Sequence, residues 1–190
     1  MVAELVTRLR RAPERMLHGW RRRRMREMLR RRPPPATLLV VCHGNVCRSP
    51  FAAALLRPSL SRKGVRVDSA GFVGPGRRSP LEAVTAAARY GVDLSTHRST
   101  VLTVDRVRPA SIIVVTDPAQ GREICARFGR AEDDVVVLGD FDPQPIDSRK
   151  IRDPVNQPLE VFEETYARIA RCIRELERAI GSLGVTRSDG

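Results

Sequence analysis

The chain has 190 residues, enough for one domain of ordinary size with a substantial core. Lys and Arg outnumber Asp and Glu by 34 to 22, yet residues 1–32 alone hold twelve Arg against three Glu, which leaves only +3 of the net +12 charge for the remainder. No apolar run is long enough for a signal segment or a membrane span, and four cysteines are too few for a disulfide framework, so a reducing, cytoplasmic setting is expected.

The basic stretch closes on the proline run Pro33 to Pro35, a stiff spacer that divides residues 1–35 from a domain expected over 36–184, with 185–190 as a tail. RRRR at Arg21 to Arg24, beside Trp20, Met25, Met28 and Leu29, fits an anionic lipid surface or an acidic partner, which would put the protein at the inner membrane face. A solvated, disordered extension, or a start chosen too far upstream, is equally consistent with the composition. Basic charge also attracts nucleic acid, but nothing aromatic repeats as a base-reading surface requires, so no specific nucleic acid is expected. Residues 36–184 should then suffice for chemistry on small substrates.

Beyond the prolines the pattern changes. Thr37 to Val41, Ser111 to Thr116 and Val135 to Leu138 are short, unbroken and β-branched, as strands buried on both faces are, and Val65 to Val67 is a weaker fourth. Helices are predicted between and after them, over Pro50 to Leu60, Leu81 to Tyr90 and Ala119 to Phe128, with Pro58 expected to end or kink the first. Phe162, Tyr166, Ile169, Ile173, Leu176 and Ile180 form one apolar stripe on a closing helix, with Pro158 suited to its first turn. Strand and helix alternate, so the fold class is α/β with a parallel sheet.

The first strand runs into VCHGNVCRSP, Val41 to Pro50. A loop from the carboxyl end of a buried strand into a helix sits where open α/β sheets bind ligands. Ser49 can cap that helix and Pro50 can take its first position. Loop amides and the helix N-terminus then converge on an anion, Arg48 adds a planar fork for two phosphate oxygens, and such a pocket favours thiolate at Cys42. Spacing alone proves little, because Cys172 and Arg178 repeat it inside the closing helix, without a glycine or a preceding strand. That pair reads as solvated helix surface with a partly buried cysteine.

With Gly44, Asn45, Ser49 and Pro50 in place, the stretch resembles the phosphate loop of the low-molecular-weight protein tyrosine phosphatases, an apolar strand followed by Cys-x-Gly-Asn-x-Cys-Arg-Ser-Pro. The likeness extends from about Leu38 to Leu183 through DSAG (Asp68 to Gly71), GVDLSTHR (Gly91 to Arg98) and IRDPVNQPLEVFEETY (Ile151 to Tyr166). It implies a three-layer α/β/α fold around a four-stranded parallel sheet in the order 2-1-3-4, with the phosphate loop between the first strand and the helix after it. It implies further that Cys42 attacks phosphorus, that the amides from His43 through Gly44, Asn45, Val46 and Cys47 to Arg48 hold the oxyanion, and that the Ser49 hydroxyl stabilises the departing thiolate. No metal or other cofactor is required. Asn45, Ser69 and His97 match positions that keep the loop in shape.

Three Asp-Pro pairs, at Asp117, Asp142 and Asp153, could supply the proton for the leaving oxygen, and residue chemistry alone leaves all three open. The resemblance selects Asp153. Cys47 is either a small buried residue or, as the family precedent suggests, the redox partner that forms a reversible disulfide with Cys42. Family members acting on phosphotyrosine carry aromatic residues just after the Asp-Pro pair, where this chain has Val155 and Asn156; His43 and Phe72 are alternative walls. Relatives that hydrolyse phosphoarginine tend to have threonine where Val46 presents only methyl groups, which favours phosphotyrosine in a protein substrate over phosphoarginine. A thioredoxin-coupled arsenate reductase would need a further cysteine pair, and Cys125 and Cys172 stand far apart in sequence. A catalytically silent phosphate-binding adaptor is disfavoured by the intact set of Cys42, Arg48 and Asp153.

Overall fold

The computed structural model describes residues 2–181, and the side chains from Arg15 onward. The predicted tail at 185–190 and the domain end at 184 lie outside the described residues. The elements are α1 (Val2–Arg30), β1 (Thr37–Cys42), α2 (Arg48–Ser61), β2 (Arg66–Gly71), α3 (Leu81–Ala88), α4 (Val104–Val107), β3 (Ile112–Val115), α5 (Pro118–Phe128), β4 (Val135–Val137) and α6 (Leu159–Gly181).

All four strands are parallel, in the order β2-β1-β3-β4. Each strand alternates its side chains between two cores. Leu38 and Val40 of β1, with Ile112 and Val114 of β3, face a large cluster under α2, α3 and α6. Leu39 and Val41, with Ile113 and Val115, face a smaller one containing Val107 of α4 and Ile124 of α5. Burial on both faces is why these strands read as unbroken apolar runs. The six stripe residues of α6, Phe162 to Ile180, all lie in the larger core. The chain passes from β1 to β2 on one side and later to β3 on the other, so the carboxyl end of β1 is a topological switch point, where such sheets open a crevice.

Three local expectations are corrected. Pro58 does not end α2, which continues to Ser61; its ring removes only the one bond its own nitrogen would have made to the Ala54 carbonyl. The α2 cap is Cys47, with no side-chain capping bond, and Arg48 is its first residue; Ser49 is therefore inside the helix, its hydroxyl engaged elsewhere, and Pro50 is not at the first position. Cys172 is not partly solvated but fully buried, and burial first, then the nearby Asp142 carboxylate, push its thiol up to about 12.

The basic segment also departs from the picture of a separate arm. Leu29 is completely buried, Met25 and Met28 pack against the larger core, and His18 is buried beside it on the same helix face. Glu175 of α6 accepts hydrogen bonds from both Arg22 and Arg26, and Arg32 reaches Asp134 Oδ1 at 2.8 Å. Met25, Met28 and Leu29 are thus docking residues, whereas Trp20 stays outside, about half exposed. Residues 15–32 belong to the packed body. Among the described residues no helix is long and apolar enough to cross a membrane.

Candidate active site

The loop between β1 and α2 is held from three sides. Asn45 takes a left-handed backbone (φ 49°), which asparagine tolerates better than most residues, and is wholly buried. Its Oδ1 accepts from the Thr100 amide at 2.8 Å and from Thr100 Oγ1 at 3.3 Å; its Nδ2 donates to Ser69 Oγ at 3.0 Å and Ser49 Oγ at 2.9 Å. A backbone amide can only donate, so the Thr100 contact fixes which end of the carboxamide is oxygen. Ser49 Oγ, already accepting from Asn45, has two acceptors for its own proton, Cys42 Sγ at 3.0 Å and the Ala70 carbonyl at 3.4 Å, of which the sulfur is the nearer. Asn45 N–H donates to the same sulfur at 3.2 Å. The network therefore delivers two donors to Cys42.

His97 Nε2 lies 2.8 Å from the Asn45 carbonyl, so that nitrogen carries a proton; burial lowers the imidazole's pKa, partly offset by this bond. Ser69 and His97 thus each meet Asn45 in the loop, through its side chain and its carbonyl respectively. Gly71, at the end of β2, backs against it so closely that a Cβ there would come within 2.7 Å of Asn45 N and 2.8 Å of the His43 carbonyl. Any side chain at residue 71 would push the loop out of shape. Arg77 Nη2 donates to the Gly44 carbonyl at 2.9 Å, and Tyr166 of α6 donates its hydroxyl to the Cys47 carbonyl at 3.1 Å while stacking on Phe51 with ring centroids 3.9 Å apart. Thr100, Arg77 and Tyr166 were missed from sequence as site residues. The stretch containing Thr100 directly follows His97 and Arg98, the one signal that could have drawn attention to it.

Arg48 is 2% exposed. Its Nη1 donates to the Ile151 carbonyl at 3.0 Å, its Nη2 pairs with Asp153 Oδ2, and its buried Nε has no protein partner, leaving that N–H available to an oxyanion. Of the three Asp-Pro pairs, only Asp153 meets the loop in this way. Asp117 caps α5 through the Ala119 amide and pairs with Lys150, contacts that hold its carboxyl below the usual range although burial opposes them. Asp142 is buried and gripped by Arg168 and Arg171 of α6 at 3.2 and 3.3 Å.

Cys47 is buried in the larger core, and burial first, then the negative charge at Cys42, pushes its thiol far above the ordinary range. His43 is exposed at the loop rim, but Phe72 packs into the smaller core with the Arg127 guanidinium 5.8 Å from its ring centroid, so it is engaged elsewhere than expected of a pocket wall. Asn156, where an aromatic residue was looked for, has φ 59° inside a turn closed by the Gln157 amide on the Pro154 carbonyl at 3.0 Å. Cys125 lies on α5 and Cys172 under α6, on opposite faces of the sheet, which removes them as a disulfide relay.

Residues 37–183 match the family model described as low molecular weight phosphotyrosine protein phosphatase. The chain is 40% identical over 149 residues to the probable low molecular weight protein-tyrosine-phosphatase EpsP of Ralstonia solanacearum, covering 78% of this chain and 98% of that protein. It is 31% identical over 141 residues to the low molecular weight protein-tyrosine-phosphatase Etp of Escherichia coli K12, covering 73% and 90%. The YwlE arginine phosphatase of Geobacillus stearothermophilus superposes with a TM-score of 0.67 at 31% identity, over 76% of this chain and 92% of that one.

Proposed function

The chain belongs to the low molecular weight phosphotyrosine protein phosphatase family, and we propose that it hydrolyses phosphotyrosine in protein substrates, with Cys42, Arg48 and Asp153 carrying the chemistry. The observation that carries the reading is the convergence of Ser49 Oγ and the Asn45 amide on the buried Cys42 sulfur, in a loop whose Arg48 is paired with Asp153. In the first step the Cys42 thiolate attacks phosphorus, the sulfur–phosphorus bond forms, and the bond to the tyrosyl oxygen breaks as that oxygen takes a proton from Asp153. Loop amides and the Arg48 guanidinium hold the phosphoryl oxygens. The phosphate takes over Arg48 from the Asp153 carboxylate, which, freed of that cation, takes up a proton from solvent and turns to the leaving oxygen as the acid. In the second step water attacks phosphorus, Asp153 accepts its proton, and the sulfur departs while Ser49 donates to it, releasing inorganic phosphate.

Val46, 7% exposed, offers methyl groups where a polar guanidino substrate would call for a hydroxyl, which supports an aryl phosphate over phosphoarginine. The purified protein is expected to turn over para-nitrophenyl phosphate and phosphotyrosyl peptides faster than phosphoarginyl protein, and Cys42→Ser to turn over none of them. Asp153→Ala should lower kcat/KM for phenyl phosphate by about 100-fold or more, within the range for a lost general acid. The same loss on Asp142→Ala with Asp153→Ala silent would overturn the assignment.

The outward face of α1 supports a second, separate partner. Met16 and Trp20 stand one turn apart and exposed, Arg23 and Arg24 are exposed in the turn after Trp20, and the Arg24 guanidinium lies 5.4 Å from the Trp20 ring centroid. Exposed apolar side chains beside arginines suit an anionic lipid surface, the Trp20 ring entering the headgroup layer while the cations meet phosphate.

A further inference from the structure

We propose that His18 of α1 is a positioning residue for the loop that carries Asp153, so that the N-terminal helix helps set the proton donor; this rests on Asp153 being the acid. The loop between β4 and α6 holds no regular secondary structure from Asp142 to Pro158. With Arg168 and Arg171 of α6 it lines an open surface cavity of about 590 Å³, through Asp142, Ile146, Ser148, Lys150 and Asp153. The loop is anchored by buried Ile146 and Ile151 and by its close approach to Gly139, and between those points its exposed backbone is held by polar contacts.

Those contacts form a chain that begins on α1. His18 is 6% exposed, and its Nε2 donates to the Asp142 carbonyl at 2.8 Å. The Asp142 carboxylate receives Arg168 and Arg171, and Arg168 continues to the Ser148 carbonyl at 2.6 Å and the Lys150 carbonyl at 3.1 Å. Ile151, next along, is completely buried; its amide reaches Thr116 O at 2.9 Å and its carbonyl receives Arg48. Asp153 follows two residues later. Arg15, one turn before His18, adds an outer tie to Asp147 at 2.6 Å. The ring of His18 is buried for this single bond, since Nδ1 has no partner.

His18→Leu removes the donor while filling the site with apolar volume, and it also removes the unpartnered Nδ1, so the variant is expected to fold. A misplacement of about 1 Å can cost up to 100-fold in rate. The expected loss for His18→Leu is about tenfold in kcat/KM with phenyl phosphate, whose leaving oxygen needs a proton. It should be less than twofold with para-nitrophenyl phosphate, whose leaving group departs more readily as the anion. His18→Gln, which retains an N–H donor, should recover most of the loss. Placed on Asp153→Ala, His18→Leu should cost nothing further, because the residue it positions is gone. Equal losses on both esters, a loss that persists in the Asp153→Ala background, or no loss at all would each overturn the proposal. If Asp153→Ala itself shows no preference between the two esters, it is the assignment of the acid that fails instead.

Discussion

Replacing Asn45 by alanine tests whether one buried carboxamide organises the phosphate loop. The side chain accepts from the Thr100 amide at 2.8 Å and donates to Ser49 and Ser69 hydroxyls at 2.9 and 3.0 Å, at a position with no solvent exposure to replace them. A buried amide left unpaired costs about 1–3 kcal/mol and each hydroxyl bond contributes about 1 kcal/mol. Alanine at φ 49° adds about 1 kcal/mol of backbone strain that asparagine partly avoids. Together these predict a loss of about 4–6 kcal/mol, a large share of the 5–15 kcal/mol typical of a domain. Urea unfolding followed by circular dichroism measures it directly. The variant should also be impaired in releasing phosphate from the enzyme, seen as a larger burst relative to steady turnover, because the Ser49 proton is no longer directed at sulfur. A loss below about 1 kcal/mol, with unchanged burst kinetics, would refute the view that Asn45 holds the loop.

Two further expectations concern other regions. Burial holds the His97 pKa below its ordinary value, so the unfolded chain binds a proton there before the folded one does; stability should fall as pH drops below about 6.5 and level off once the folded form titrates. His97→Gln should remove that part of the pH dependence, and unchanged denaturation midpoints between pH 7 and 5 in the unsubstituted protein would contradict it. For α1, co-sedimentation with vesicles containing phosphatidylglycerol, but not with pure phosphatidylcholine, is expected, and Trp20→Ala with Met16→Ala should weaken it; equal sedimentation with both vesicle types, or none, argues against lipid as the partner.

Elements buried on both faces were the easiest to read. An unbroken run such as Leu38 to Val41 has few other uses, and the α6 stripe needs no knowledge of its neighbours to be recognised. The docking face of α1 was harder, because His18, Met25 and Leu29 recur at helical spacing but are diluted by arginines, and composition suggested solvent or lipid. In the structure two of those arginines are consumed by the buried Glu175, whose carboxyl they and Arg178 hold below its usual range although burial opposes it. One acidic residue some 150 positions away thus changes the meaning of the segment, and no local pattern announces such a pairing. Thr100 and Arg77 escaped notice for the same reason: both act on Asn45 and Gly44 through contacts made only when β2 and its following loops have closed around the site.

The three Asp-Pro pairs show how far residue type falls short of role. All three offer the same carboxylate before the same rigid ring, and each is placed near the same edge of the sheet. A proton donor to a substrate must keep one oxygen that neither a cap nor a buried ion pair occupies. Asp117 spends its side chain on the α5 N-terminus and Lys150, and Asp142 is enclosed by two arginines with its side chain 2% exposed. Asp153 is the most open, with its side chain 38% exposed; its Oδ1 accepts only a long contact from the Val155 amide at 3.3 Å, and its Oδ2 partner is the arginine that a phosphate would claim. With Asp153 as the proposed acid, binding of substrate would loosen it at the moment it is needed, whereas the same event would leave Asp117 and Asp142 tied. Role follows from which contacts the substrate can replace, and that is decided by the tertiary neighbours of each carboxylate.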